Sequence, residues 1–541
     1  MQKKNSDSKH YGKQFFSGVA ALAISTFIVK VIGLFYKIPM MAYLGAEGMG
    51  YFNSAYDIYS LFFVISTTGI PVAISILVSE NMAQRRMRNV KRIFTISIYI
   101  LGAIGLIGTL AMGLFHRQLA QLINNEGATL CILAISPTVL MICISSAVRG
   151  YFQGNQNMIP TAVSQVIEAL GKLLLGLGFA IVAINKGYST PKVAAFAVMG
   201  LALGVAISLL FLVLYKLFYK IKVDNSQISN DLEPKSLILT KLLSIAIPIT
   251  ISSTILSLTK IIDMTMILRR LNDIGYTQEQ SNALYGSYST MAVSIYNLPA
   301  TLISAIALPL VPLLVYAIES GDNEKEKSVI SSSFKLASLV ALPIGLGIAV
   351  FSEPILKLLF FSQEKEIEYT APLLSLLGLS VFLSAMITVS NAVLQAYKLV
   401  KKPIVSMTIG IAVKLIFAFL LIGIPNVNIY GAPISTFISS VVIVSINLYF
   451  IVKQSGRIET VLNLFGKPFI ASIVSMVIGI AVYVFLSDFV VSRVLILPII
   501  VLVGLIYGLI ALKIRAINQD DILMLPRGEY ILKILTKIHI M

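Results

Sequence analysis

Residues 15–38 read FFSGVAALAISTFIVKVIGLFYKI. The run is apolar apart from a few small polar residues and two lysines, Lys30 and Lys37. An α-helix needs about 20 such residues, at about 1.5 Å each, to cross roughly 30 Å of hydrocarbon, so this stretch reads as a membrane span. The lysines are seven positions apart and therefore share a helical face. A cation at the centre of a lipid-facing helix costs about 2.5 to 3.5 kcal/mol on insertion scales, which turns such a face towards a bundle interior or a wet cavity. Lys172, Lys260 and Lys414 lie inside other apolar runs in the same way. Several cations within one bundle point to an anionic cargo.

The rest of the chain follows the same plan. Of 541 residues, 57% are hydrophobic and 12% charged, and the mean hydropathy is +0.88. Soluble domains of this size lack such a composition, and outer-membrane barrels alternate apolar and polar residues. The fold class is therefore all-α, a polytopic membrane protein. Fourteen transmembrane helices are predicted, at about 15–38, 51–78, 93–115, 128–150, 160–184, 193–219, 237–268, 284–318, 334–360, 371–397, 403–424, 431–452, 464–487 and 493–514. The basic residues behind the net charge of +17 cluster in alternate short loops, such as Arg85, Arg86, Arg88, Lys91 and Arg92 after span 2. That pattern places both termini in the cytoplasm and calls for no nucleic acid. The N-terminal MQKKNSDSKHYGKQ reads as a cytoplasmic tail, because no small-residue cleavage site follows a short apolar run. Cys131 and Cys143 share one span, offer no disulfide framework and read as core.

The chain repeats itself. VRGYFQGNQNMIPTAVSQVIEALGKLLLGLG (148–178) resembles NAVLQAYKLVKKPIVSMTIGIAVKLIFAFLLIG (391–423). Gln153 precedes Lys172 by 19 positions, as Gln395 precedes Lys414. Lys30 and Pro71 in the first half resemble Lys260 and Pro309 in the second. Spans 1–6 and 7–12 thus form two six-helix lobes. An even number of spans inserts both in one orientation, so their pseudo-two-fold runs along the membrane normal. The expected division is an N-terminal lobe (1–219), a cytoplasmic linker (220–236), a C-terminal lobe (237–453), two extra C-terminal helices (454–515) and an amphipathic cytoplasmic tail (516–541).

The chemistry lies in the intramembrane charges. Asp57, Glu168 and Asp263 oppose the five lysines. Glu168 and Lys172 are spaced i,i+4 and Lys260 and Asp263 i,i+3, so both can pair within a helix. Paired, they leave Lys30, Lys37 and Lys414 facing Asp57, a surplus of two cations that suits a dianionic head group. Arg149, at the end of span 4, reads as an ordinary positive-inside anchor, and Asn391 as a helix-to-helix contact. Prolines 39, 71, 248, 299, 309 and 343 bend or break spans. No G-x-x-x-x-G-K-[ST] is present, and Gly171–Lys172 lies mid-span. The histidines, His10, His116 and His539, are scattered and form no metal site or triad. No enzyme constellation emerges and no cofactor is expected. A glycosyltransferase needs a sizeable soluble acidic loop, a scaffold needs no lysines at membrane depth, and a drug/cation antiporter calls for more acids than bases.

At this point the chain resembles the oligosaccharidyl-lipid and polysaccharide exporters of the MOP superfamily, in the MurJ/SpoVB lipid II flippase type. The segments that carry the likeness are SGVAALAISTFIVKVIGLFYKIPMMAYLGAEGMGYFNSAYDIYS (17–60), TTGIPVAISILVSE (67–80), VRGYFQGNQNMIPTAVSQVIE (148–168) and NLPATLISAIALPLVPLL (297–314). The resemblance implies a cavity lined by spans 1, 2, 7 and 8, and a groove at spans 13 and 14 for a polyprenyl tail. It also implies cavity arginines. Lys30 falls at a basic position of that pattern, and Tyr36, with Lys37 beside it, at an arginine position. Phe63 and Ser294 depart from it. The implied function is alternating-access translocation of an undecaprenyl-pyrophosphate-linked glycan, lipid II foremost, across the bacterial cytoplasmic membrane. Another polyprenyl-linked repeat unit, or a drug or cation in antiport, is the alternative. The substrate-binding candidates are Lys30, Lys37, Asp57, Lys172, Lys260 and Lys414. Asp263 and Glu168 are the ion-coupling candidates, with membrane potential, H+ or Na+ as the energy source. The partners are the lipid-linked glycan and membrane lipids, and the protein is expected to act as a monomer.

Overall fold

The computed structural model describes residues 2–219, 232–456, 465–489 and 493–516. Among these there are helices and turns and no strand. In chain order the α-helices are α1 (Gln2–Thr67), α2 (Gly69–Ala83), α3 (Met87–Leu114), α4 (His116–Leu122), α5 (Thr129–Gly154), α6 (Ile159–Asn185), α7 (Thr190–Phe218), α8 (Lys235–Asp273) and α9 (Gln278–Ser287). They continue with α10 (Val293–Tyr296), α11 (Leu298–Glu319), α12 (Asn323–Val350), α13 (Ser352–Leu359), α14 (Glu364–Ala396), α15 (Lys401–Ile422), α16 (Gly431–Ser455), α17 (Lys467–Ser487) and α18 (Ile496–Lys513). The expected linker falls largely outside the described residues, as does the amphipathic tail beyond Ala516.

Helix follows the apolar runs because hydrocarbon offers no partner to a backbone N–H or C=O, which must then be paired within the segment. Twelve stretches among the described residues are long and apolar enough to cross a bilayer. One of them, Ile24–Ala83, has 60 residues. That is roughly 90 Å of helix, and it holds spans 1 and 2 of the sequence reading. It bends at Gly45, whose φ of 67° lies where a side chain is strained. It breaks again at Thr68, ahead of Pro71. Spans 3–7 appear as α3 and α5–α8, and spans 9–14 as α12 and α14–α18. Span 8 differs from expectation. It is α9, a π-helical segment at Tyr288–Ala292, then α10 and α11, with Pro299 in the first turn of α11. Two short helices, α4 and α13, follow α3 and α12 at an offset of 236 residues, in keeping with the repeat.

The chain packs as two compact units, Met1–Gly286 and Ser287–Met541. In the first, α5 packs on α1, α3 and α7, α6 lies between α1 and α7, and α8 lies along α1 and α2. This packing of α8 goes with a unit boundary at Gly286, whereas the sequence repeat led to an expected boundary at the linker. In the second unit, α14 packs on α11, α12 and α16 around Phe334, Met386, Val389 and Ile451. There α17 pairs with α18 and leans on α12.

Candidate functional site

The site begins with the local start of α9. Thr277 and Gln280 form a reciprocal cap: the Thr277 N–H donates to Gln280 Oε1 at 3.0 Å and the Gln280 N–H to Thr277 Oγ1 at 3.2 Å. A T-x-x-Q box of this kind satisfies helix-start donors and fixes the direction of entry. It aims one face of α9, carrying Asn282, Tyr285 and Gly286, at the face of α1 carrying Ala46, Gly50, Ser54 and Asp57. Small residues let the two backbones meet. A Cβ at Gly50 would lie 2.5 Å from the Asn282 side chain, closer than real Cβ contacts come. Asn282 donates to the Glu47 carbonyl at 2.6 Å and accepts from Asn125 Nδ2 at 2.7 Å. Asn125 Nδ2 also donates to Ser54 Oγ at 2.9 Å. Asn125, Asn282 and Ser54 are fully buried, so this is a polar latch shut away from water.

Next to the latch, Tyr285 Oη donates to Asp57 Oδ2. Lys37, Lys260 and Asp263 lie within electrostatic reach of Asp57. Two cations thus meet two acids. The i,i+3 spacing allowed Lys260 and Asp263 to pair within α8, which would leave Lys37 as part of a cationic surplus. In the structure both residues of α8 lie in the field of Asp57. Away from the latch, Glu233 accepts from Arg86 at 3.4 Å and from Lys241 at 2.9 Å. Arg92 donates to the Glu233 carbonyl at 2.9 Å, and the Glu233 N–H donates to Asn89 Oδ1 at 3.2 Å. This clamp ties the start of α8 to the turn between α2 and α3.

A second charged cluster sits where α1, α5, α6 and α7 meet. Glu168 accepts from Lys172 at 2.7 Å and from Arg149 Nη2 at 2.9 Å, one cation on each carboxylate oxygen. Arg149 also donates to Ser164 Oγ at 3.0 Å and to Ser208 Oγ at 3.3 Å. Arg149 is 7% exposed and Glu168 6%. Arg149 is therefore no surface anchor: the packing of α5 against α6 and α7 buries it beside an acid, which offsets the desolvation of both. Its partner lies 19 positions away on another helix, a relation that no local spacing rule marks.

Of the remaining sequence candidates, Lys30 is exposed on α1 and Lys414 sits half-buried on α15 in the second unit. In that unit Asn391 joins helices as expected, accepting from Asn447 Nδ2 at 2.9 Å, while Ser406 donates to Asn447 Oδ1 at 2.6 Å. Cys131 and Cys143 are buried free thiols. The second unit also holds a cavity of about 310 Å³ lined by Pro343, Gly347, Phe351, Met476, Val503, Gly504 and Tyr507. Tyr507 Oη is satisfied by the Leu339 carbonyl at 2.8 Å, so the wall it offers the cavity is apolar.

Comparison with known proteins agrees with this architecture. Residues 15–318 match the family described as polysaccharide biosynthesis protein, and residues 281–420 match MatE. Stage V sporulation protein B of Bacillus subtilis (strain 168) is 27% identical over 523 residues, covering 95% of this chain and 98% of the relative. Lipid II flippase MurJ of the same organism is 26% identical over 484 residues, covering 86% and 87%. Among solved structures, lipid II flippase MurJ in an inward closed conformation superposes with a TM-score of 0.69 at 16% identity, over 91% of this chain and 97% of that one. An inward-facing MATE multidrug resistance transporter of the MOP superfamily gives 0.68 at 17%, over 81% and 98%. These two likenesses speak for the fold. The match over residues 15–318, more than half of the chain, places the protein in the polysaccharide biosynthesis protein family.

Proposed function

We propose that the protein is a flippase that carries an undecaprenyl-pyrophosphate-linked glycan, lipid II foremost, across the bacterial cytoplasmic membrane for cell-wall synthesis. The observation that carries this reading is the excess of cations over acids in the helices of the first unit. Within the apolar spans these include Lys30, Lys37, Arg149, Lys172 and Lys260, against Asp57, Glu168 and Asp263. A carrier of cationic drugs calls for the opposite balance. The name of one relative, a lipid II flippase, supports a lipid-linked cargo.

In this reading the chain crosses the membrane fourteen times with both termini in the cytoplasm. The Glu233 clamp then lies on the cytoplasmic side and the Asn125–Asn282 latch on the outer side. The Asp57 cluster sits between two closures. The head group enters when the clamp opens, displaces acids from cations, and leaves when α9 parts from α1 and breaks both the latch and the Tyr285–Asp57 bond. The prenyl tail stays in an apolar setting, and the cavity at α12, α17 and α18 has the lining to hold part of it. Membrane potential, worth about 2.3 kcal/mol per charge per 100 mV, drives return of the cationic carrier.

The test is complementation of a MurJ-depleted bacterium together with a head-group accessibility assay in proteoliposomes made with lipid II. Growth and translocation by the wild type, lost in Lys260→Met at normal protein levels, is the expected result. Translocation of a cationic dye in place of lipid II, with no rescue of growth, refutes the reading.

A further inference from the structure

The Arg149–Glu168–Lys172 cluster does something the Asp57 cluster does not: it stays positive after its internal pairs are made. Two cations share one carboxylate, which leaves a net charge of +1. The three side chains are not equally enclosed. Lys172 is 19% exposed, against 8% for Arg149 and Glu168, so the open end of the cluster is an ammonium. Tyr56, itself exposed, acts on the charge of Lys172. On α1 the Tyr59 hydroxyl is fully buried with no hydrogen-bond partner among the described residues. A buried donor without an acceptor is uncommon and asks for a ligand or water oxygen.

The repeat shows that the fold does not need these charges. An offset of 242 carries Gln153 to Gln395, Ser164 to Ser406 and Lys172 to Lys414. The same offset carries Arg149 to Asn391 and Glu168 to Gly410. The second copy closes the equivalent junction with the neutral Asn391–Asn447–Ser406 network. The lysine is kept, while the acid and the arginine occur in the first copy alone.

We propose that Lys172 is an oxyanion subsite for a phosphate of the cargo head group, and that Arg149 and Glu168 are its positioning residues. Glu168 fixes the ammonium. Arg149 neutralises Glu168, so that Lys172 keeps its attraction for an anion. This rests on the reading of a lipid-linked diphosphate cargo and names where one phosphate sits.

The test measures binding of undecaprenyl diphosphate to the full chain in nanodiscs at low and high salt, with inorganic diphosphate as competitor. Lys172→Met weakens binding about tenfold or more, as loss of a charge-assisted hydrogen bond does, and flattens the salt dependence. Lys172→Arg restores most of it. Arg149→Asn alone weakens binding similarly, because Glu168 then cancels Lys172. Adding Glu168→Gly, which copies the second repeat, recovers part of the loss. A purely structural role predicts no such recovery, and its absence in a folded double variant overturns the positioning claim. Unchanged affinity in Lys172→Met, with Lys37→Met and Lys260→Met weakened, overturns the subsite and spares the cargo reading. No binding of the prenyl diphosphate to wild type overturns both, and equal affinity for inorganic diphosphate overturns the lipid-linked cargo reading.

Discussion

Replacing Asn282 by alanine should unlock the contact between α1 and α9. Asn282 is fully buried and makes two hydrogen bonds, at 2.6 Å to the Glu47 carbonyl and 2.7 Å from Asn125. Alanine removes both and leaves a carbonyl and an amide hydrogen short of partners. A neutral hydrogen bond contributes about 0.5 to 1.5 kcal/mol net, and interhelical bonds in membrane proteins average about 0.6 kcal/mol. The pair therefore holds the closed arrangement by about 1 to 3 kcal/mol, a roughly 5- to 150-fold shift in a two-state balance. The assay is the labelling rate of Ser54→Cys by a membrane-impermeant maleimide, in a background where Cys131 and Cys143 are alanine. Ser54 is fully buried in the latch, so its thiol reacts only when α9 moves away. Asn282→Ala should raise the rate by a factor within that range, with helix content unchanged. An unchanged rate in a folded variant refutes the view that this bond pair holds the helices together.

The other expectations are shorter. Gly504→Leu fills the α12–α17–α18 cavity without a clash, since a Cβ there meets nothing within 4 Å. Lipid II flipping should drop several-fold while thermal stability is kept, and undiminished flipping argues against a tail in that cavity. Tyr285→Phe keeps the ring and loses the bond to Asp57, worth about 1.5 to 3 kcal/mol for a charged acceptor. Transport should fall at normal expression, as read in the proteoliposome assay. Glu233→Ala breaks partly exposed pairs with Arg86 and Lys241. Each contributes at most about 1 kcal/mol, so melting temperature should fall slightly and the difference from wild type should vanish in about 1 M salt.

The legible parts of this chain are those set by near neighbours. Span length and apolar content are local, so α3, α5–α8, α12 and α14–α18 stand where the apolar runs placed them. Glu168 and Lys172 are one turn apart and pair as their spacing says. The π segment at Tyr288 was not legible, because a single extra residue in a helical turn leaves hydrophobic periodicity almost unchanged. Arg149 was misread because a basic residue at the end of a span is an anchor on local rules, and only the packing of α5 on α6 shows otherwise.

The same distinction bears on mechanism. Glu168–Lys172 lies within one helix, and Arg149–Glu168 joins adjacent helices of one repeat, so a rigid-body movement of that repeat leaves both intact. Asp57–Tyr285 and Asn125–Asn282 join partners 228 and 157 positions apart, one in each repeat. Movement of α9 away from α1 breaks them. The charges therefore divide by role. A cluster that persists through the cycle can hold an anion throughout it, whereas one that breaks and reforms can sense whether the anion is present. The first description fits Arg149, Glu168 and Lys172. The second fits Asp57, whose bond from Tyr285 is lost when α9 leaves α1.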